Sequence, residues 1–151
     1  MGELLAIRQA PTRDGAIQLL ESGALPVSDL TDAHMAHFFY VGTASAPRAI
    51  VGVEFCGPDA LLRSLVVAPE LRTKGLGSKL VERAEAHARA QGARAVYLLT
   101  TSAERFFRSR GYGVTPRDAA PSDIRSTTEF SGLCPASSAF LSKHLDLRYL
   151  P

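Results

Sequence analysis

The stretch LRTKGLGSKL, residues 71–80, constrains this chain more than any other. Ahead of it stands LRSLVV (62–67), an apolar and β-branched run that predicts a strand. Behind it the apolar period changes. Over 77–91, Leu80, Val81, Ala84 and Ala88 form one stripe, while Lys79, Glu82, Arg83, Glu85 and Arg89 fall mostly elsewhere. Gly92 is the natural stop of that helix. A strand therefore runs into a short turn, and the turn feeds a helix. A helix start carries N–H groups without intrahelical partners and the positive end of the dipole. Gly75 and Gly77 remove side chains there, so a ligand can approach the backbone. Arg72 and Lys74 add charge of the matching sign. The combination predicts an anion site suited to a diphosphate.

The other elements follow from pattern and punctuation. LLAIRQA (4–10) is a short strand candidate. A helix is expected over 12–20, with Gly23 as its stop, and a polar helical turn over 26–32. Three strands are expected at 34–43, 48–57 and 60–69, with breaks short enough for hairpins. AVYLLTT (95–101) predicts a buried strand. Thr101-Ser102-Ala103-Glu104 has the spacing of a capping box that opens a second short helix, ended by Gly111. PSDIRSTTEF (121–130) reads as helical and SSAFLSKHL (137–145) as a last strand. The order predicts an α/β fold, a mixed sheet with helices packed on it. With 151 residues and no linker, a single domain over 1–151 is expected.

Composition narrows the class. There are 17 basic and 15 acidic side chains and no basic stripe, which argues against a nucleic-acid partner. The N-terminus MGELLAIRQA lacks an apolar leader core, and no apolar run approaches the ~20 residues of a membrane span. A cytoplasmic protein with no membrane partner is expected. Cys56 and Cys134 are far apart and in no metal-ligand spacing, so reduced thiols and no metal are expected.

Two nucleotide motifs fail on the central loop. A Walker loop ends Gly-Lys-Ser/Thr, and here the order is Gly77-Ser78-Lys79. A dinucleotide fingerprint needs a third glycine where Leu80 stands. What remains, R-x-x-G-x-G after a strand, resembles the acetyl-CoA pyrophosphate loop of the GCN5-related N-acetyltransferase family. TSAERFFRSRGYGV resembles the later signature of that family, with Ala103, Phe106, Phe107, Gly111 and Tyr112 at its positions. LLRSLVVAP, YLLTTSAERFF and TEFSGLCPASSAF look like the subfamily associated with arsenic resistance.

The resemblance implies the acyl-CoA N-acyltransferase fold and acetyl-CoA as co-substrate. It implies that Leu65, Val66 and Val67 bind the pantetheine arm through their backbone. Arg72, Thr73, Lys74, Gly75, Leu76, Gly77 and Ser78 would hold the pyrophosphate. Thr100, Ala103, Phe106 and Phe107 would complete the cofactor contact. It implies a small-molecule amine acceptor, amino-acid-like or arsenic-containing, and a homodimer. A second function class is an acyl-CoA-binding module without turnover.

Amide formation from a thioester needs a base for the amine, donors for the oxyanion and a proton for the leaving thiolate. The resemblance implies the Val66 N–H, on the strand before the glycine loop, as the oxyanion donor. Many relatives carry tyrosine where this chain has Phe107, which donates no proton. Tyr112 reads better as a packed aromatic. Where relatives carry a strand glutamate, this chain has Leu61 and Arg63, so Glu54 on the preceding strand is the candidate base. An apolar run such as VGVEFCG would raise its pKa by burial, although pairing with Arg63 across the hairpin is an equal alternative. Arg63 and Thr127 are the candidate acceptor contacts. For Arg63 the same ion pair is the competing reading, and for Thr127 it is helix capping. His34 and His37, three apart, would point to opposite faces of a strand.

Overall fold

The computed structural model describes residues 6–145. Its strands are β1 (Arg8–Gln9), β2 (Phe38–Thr43), β3 (Ala46–Cys56), β4 (Asp59–Val67), β5 (Ala95–Thr100), β6 (Gly113–Val114) and β7 (Ala139–His144). The helices are α1 (Arg13–Ser22), α2 (Leu76–Ala90), α3 (Glu104–Arg108) and α4 (Ser122–Arg125). Two compact units emerge. One takes the chain through Glu54 and Arg63–Ala84; the other takes Phe55–Leu62 and the chain from Glu85. Both are mixed α/β, and β4 supplies residues to each.

In the first unit the strand order is β1-β2-β3-β4. β2 and β3 are antiparallel, with Phe38↔Gly52 and Tyr40↔Ile50 as partners. Thr12 caps α1, its Oγ1 accepting from Gly15 N at 3.0 Å, and Gly23 ends the helix as expected. Ala16 and Leu20 of that helix pack with Leu30, Met35, Phe38, Tyr40 and Ile50. Gly52 is needed for this core, because a Cβ there would fall on the Phe38 ring. Gly52→Ala is expected to cost about 2 kcal/mol by overpacking, read from the urea midpoint; an unchanged midpoint would show that Phe38 repacks freely.

In the second unit the order is β4-β5-β7-β6. β7 pairs antiparallel with β5 from Ala95↔His144 to Thr100↔Ala139, and with β6 on its other side. The 137–145 strand thus has both partners within its own chain. Cys56, Leu61, Ala120, Ile124 and Phe140 form the core, with Tyr97, Leu99 and Phe130 against it.

Several expectations need correction. Residues 34–37 are not strand; Asp32–His37 is a 3₁₀ helix, where His34 and His37 share a face. His34 Nδ1 accepts from Thr31 N at 2.9 Å, closing a capping box at this helix start. The expected box at 101–104 does not form. The Thr100 hydroxyl instead accepts from Ala103 N at 2.9 Å and Ser102 N at 3.4 Å. The helical reading of 121–130 splits into α4 and a π-helical turn, Glu129–Leu133. The N-terminal strand is confined to Arg8–Gln9 within the described residues. No helix among those residues is long and apolar enough to cross a membrane.

The α2 stripe is as expected: Leu80, Val81, Ala84 and Ala88 are all buried. Glu85 is buried too, against expectation. It accepts from the Tyr112 hydroxyl at 2.8 Å and from Lys143 Nζ at 3.1 and 3.2 Å. Burial first, then the Glu85 charge and hydrogen bond, push the Tyr112 phenol far above its ordinary 10.0. The unfolded chain loses that proton near its ordinary pKa, while the folded chain keeps it. Stability is therefore intact below about pH 10 and falls above it, by about 1.4 kcal/mol per pH unit from this group. Tyr112→Phe is expected to flatten the alkaline slope of the urea midpoint; an identical slope would mean that Tyr112 ionises as easily folded as unfolded.

Candidate active site

β4 carries the first part of the site. Its parallel register with β5 covers Ala60↔Val96 and Leu61↔Tyr97, and the strand then continues to Val67. Ser64 interrupts its extended backbone with φ 63°. A non-glycine residue in that region costs about 1–2 kcal/mol. Leu65, Val66 and Val67 follow, each half-buried. Ala68 N donates to Arg48 O at 2.8 Å and anchors the strand end to β3.

The loop then turns twice. A 3₁₀ turn at Pro69–Leu71 leads to Arg72, whose Nε donates back to Val67 O at 3.0 Å. One of the five Arg72 N–H donors thus braces the loop itself, a role not anticipated from sequence. Thr73 and Gly75 both adopt left-handed φ, 72° and 75°. Arg72, Thr73, Lys74 and Gly75 are exposed, and no atom lies within 4 Å of where a Gly75 Cβ would stand. Lys79 N donates to Gly75 O at 3.2 Å and ties the loop to the first turn of α2. The N–H groups of the first turn point out of the helix start, where the dipole is positive. No acidic residue occupies the first turn of this helix, which keeps its positive end free of a local negative charge.

Glu54 and Arg63 lie in the same unit as this loop. The Arg63 side chain is completely buried. Its Nη1 donates to Asp29 Oδ2 at 2.5 Å and to Glu54 Oε1 at 3.2 Å. Its Nη2 donates to Asp29 Oδ1 at 2.8 Å, and its Nε to Ser64 Oγ at 3.1 Å. The Glu54–Arg63 pair anticipated as an alternative is formed. Each Arg63 nitrogen is engaged within the protein, which leaves the arginine poorly placed to read an acceptor anion. Burial works to raise the Asp29 carboxyl, but the Arg63 hydrogen bonds and charge outweigh it and hold it below its ordinary range. Sequence reading missed Asp29. The available signal was an arginine inside the apolar run ALLRSLVV, since a buried guanidinium requires acids from elsewhere in the chain.

The second unit holds the later motif. Thr100 ends β5 and ties down the start of α3 through Ala103 N. Phe107 is buried, edge-on to Phe106 at 5.1 Å and to Tyr112 at 5.5 Å between centroids. α3 closes through Gly111 N to Arg108 O and Tyr112 N to Phe107 O, with Gly111 at φ 96°. Tyr112 is packed and bonded to Glu85, as a structural aromatic should be. Thr127 is buried, and its hydroxyl donates to Ile124 O at 2.7 Å and accepts from Phe130 N at 3.3 Å. That local pairing holds the turn after α4. Cys134 Sγ lies 3.7 Å from Glu129 Oε2.

Comparison with known proteins gives these features a family. The model of the acetyltransferase (GNAT) family matches residues 27–112, more than half of the chain. An amino-acid acetyltransferase of Pseudomonas syringae pv. tomato is 41% identical over 69 residues, 46% of this chain and 16% of that protein. One from Pseudomonas fluorescens is 47% identical over 51 residues, 34% of this chain and 12% of that protein. The chain therefore spans a small fraction of these relatives' length. N-acetylglutamate synthase from Neisseria gonorrhoeae, solved with coenzyme A and N-acetyl-glutamate, aligns with a TM-score of 0.75 at 21% identity, over 93% of this chain and 35% of that one. A Mycobacterium tuberculosis protein solved with CoA aligns with a TM-score of 0.75 at 18% identity, over 93% of this chain and 99% of that one. At such identities the likeness is one of fold. With the fold shared, the loop formed and the model matched across both motifs, the chain belongs to the acetyltransferase (GNAT) family.

Proposed function

We propose that this protein is an acetyl-CoA-dependent N-acetyltransferase acting on the amine of a small molecule, an amino acid or a close analogue. The observation that carries the reading is the 72–78 loop: an open helix start, flanked by exposed cations and free of acidic residues. That arrangement suits the pyrophosphate of a CoA thioester. Residues 65–67 offer extended backbone for the pantetheine arm. The names of the sequence relatives support an amino-acid acceptor. None of the relatives described above carries an arsenic name, and the arsenic-linked acceptor is set aside.

Transfer proceeds directly. Glu54 accepts a proton from the acceptor ammonium. The freed amine attacks the thioester carbonyl carbon, and the Val66 N–H stabilises the oxyanion that forms. The attacking nitrogen gives up its second proton to solvent, collapse breaks the C–S bond, and the electron pair leaves on the CoA sulfur. Phe107 has no proton to give, so solvent protonates the thiolate. A second reading, acyl-CoA binding without transfer, draws on the missing tyrosine. Release of CoA thiol, measured with acetyl-CoA and a panel of amino acids and simple monoamines, separates the two. Thiol release above the hydrolysis background is expected; background rates throughout, with acetyl-CoA still bound, would leave only the binding module.

A further inference from the structure

We propose that Asp29 and Arg63 are positioning residues that aim the Glu54 carboxylate at the acceptor amine. The inference rests on the acetyl-transfer reading above. Its starting point is an asymmetry of burial. The Arg63 side chain is 0% exposed, Asp29 12% and Glu54 22%. The fork between Arg63 and Asp29 uses two parallel N–H···O bonds, which fix the plane of the guanidinium. The bond to Glu54 is single and longer, at 3.2 Å. Glu54 thus takes its direction from a group that Asp29 has already locked.

Exposure points the same way. Of the two carboxylates on this guanidinium, Glu54 is the more exposed. An oriented carboxylate reachable from solvent suits an arriving ammonium group, and then its proton. The backbone contributes as well. Ser64 holds a left-handed φ inside β4, and its hydroxyl takes the remaining Arg63 nitrogen. A simpler fold would satisfy this strand with an apolar residue, since replacing a buried ion pair by apolar groups is often neutral or stabilising. A buried cation with two acids and a strained neighbour fits an orienting device better.

The test is a mutant cycle read by CoA thiol release from acetyl-CoA with the same amino acids and monoamines. Asp29→Asn is expected to lower kcat at least about tenfold through misplacement of the carboxylate. It should leave the acetyl-CoA KM unchanged and add nothing to Glu54→Gln in the double variant. Asp29→Glu should restore most of the lost rate. Arg63→Lys keeps the charge but loses the fork, and should show the same fall in kcat, so the proposal does not hang on one foldable variant. Wild-type kcat in Asp29→Asn or Arg63→Lys, or losses that multiply with Glu54→Gln, would overturn it. Background thiol release by the wild-type protein would instead overturn the acetyl-transfer reading, and the proposal with it.

Discussion

Glu54→Gln is expected to lower kcat for acetyl transfer about 100-fold or more, with acetyl-CoA affinity unchanged. Glutamine matches glutamate in shape and keeps an oxygen for Arg63, but it cannot accept a proton from the acceptor. The substitution leaves Arg63 paired with Asp29, a neutral fork, so the fold should hold. The loss should appear in kcat rather than in the acetyl-CoA KM, because the proposed role of Glu54 is toward the acceptor amine and not the cofactor. Steady-state kinetics at saturating acetyl-CoA measure it. Wild-type kcat would remove Glu54 from the base role and leave the Arg63 trio as a structural feature.

The second large effect concerns stability. Lys143→Met is expected to cost about 2–3 kcal/mol, at the low end for a broken buried pair because the lysine is partly exposed. Lys143 Nζ bonds both Glu85 oxygens and Arg110 O at 3.0 Å. Without it the Glu85 carboxylate stays buried, with Tyr112 as the other hydrogen bond shown to it. Adding Glu85→Gln should recover most of the loss. The amide carries no charge, and it still accepts from the Tyr112 hydroxyl. Urea unfolding of the two variants decides the point; a double variant no better than Lys143→Met would mean that the lost contacts, not the stranded charge, set the cost.

Much of the fold was legible because its signals are local. The α2 stripe repeats at helical spacing, and Thr12 and Gly23 bracket α1. The loop was legible for the same reason: strand, glycines, cations and helix stand within a short span. What escaped depends on partners distant in sequence. Glu85 sits beside the α2 stripe, and only Lys143 and Tyr112, on later elements, explain its burial. Asp29 lies in a short polar segment that looks solvated; its role comes from Arg63, which reaches it from β4. Residues 34–37 of the 3₁₀ helix resemble a strand because their aromatic-rich sequel, FFY, blurs the boundary. β6 has two residues and no period to detect, and it exists through its pairing with β7. The Thr100 hydroxyl displaced the expected capping box because the end of β5 already presents an acceptor to those amides.

The most direct test of the whole account is calorimetric titration of the wild-type protein with acetyl-CoA, beside an Arg72→Ala/Gly75→Glu double variant. The variant removes the cation that braces the loop and puts a carboxylate where the anion should sit. Micromolar binding by the wild type, weakened at least about 100-fold in the variant, is the predicted result. Absence of binding by the wild type, or equal binding by both, would contradict it and reduce the glycines to a turn.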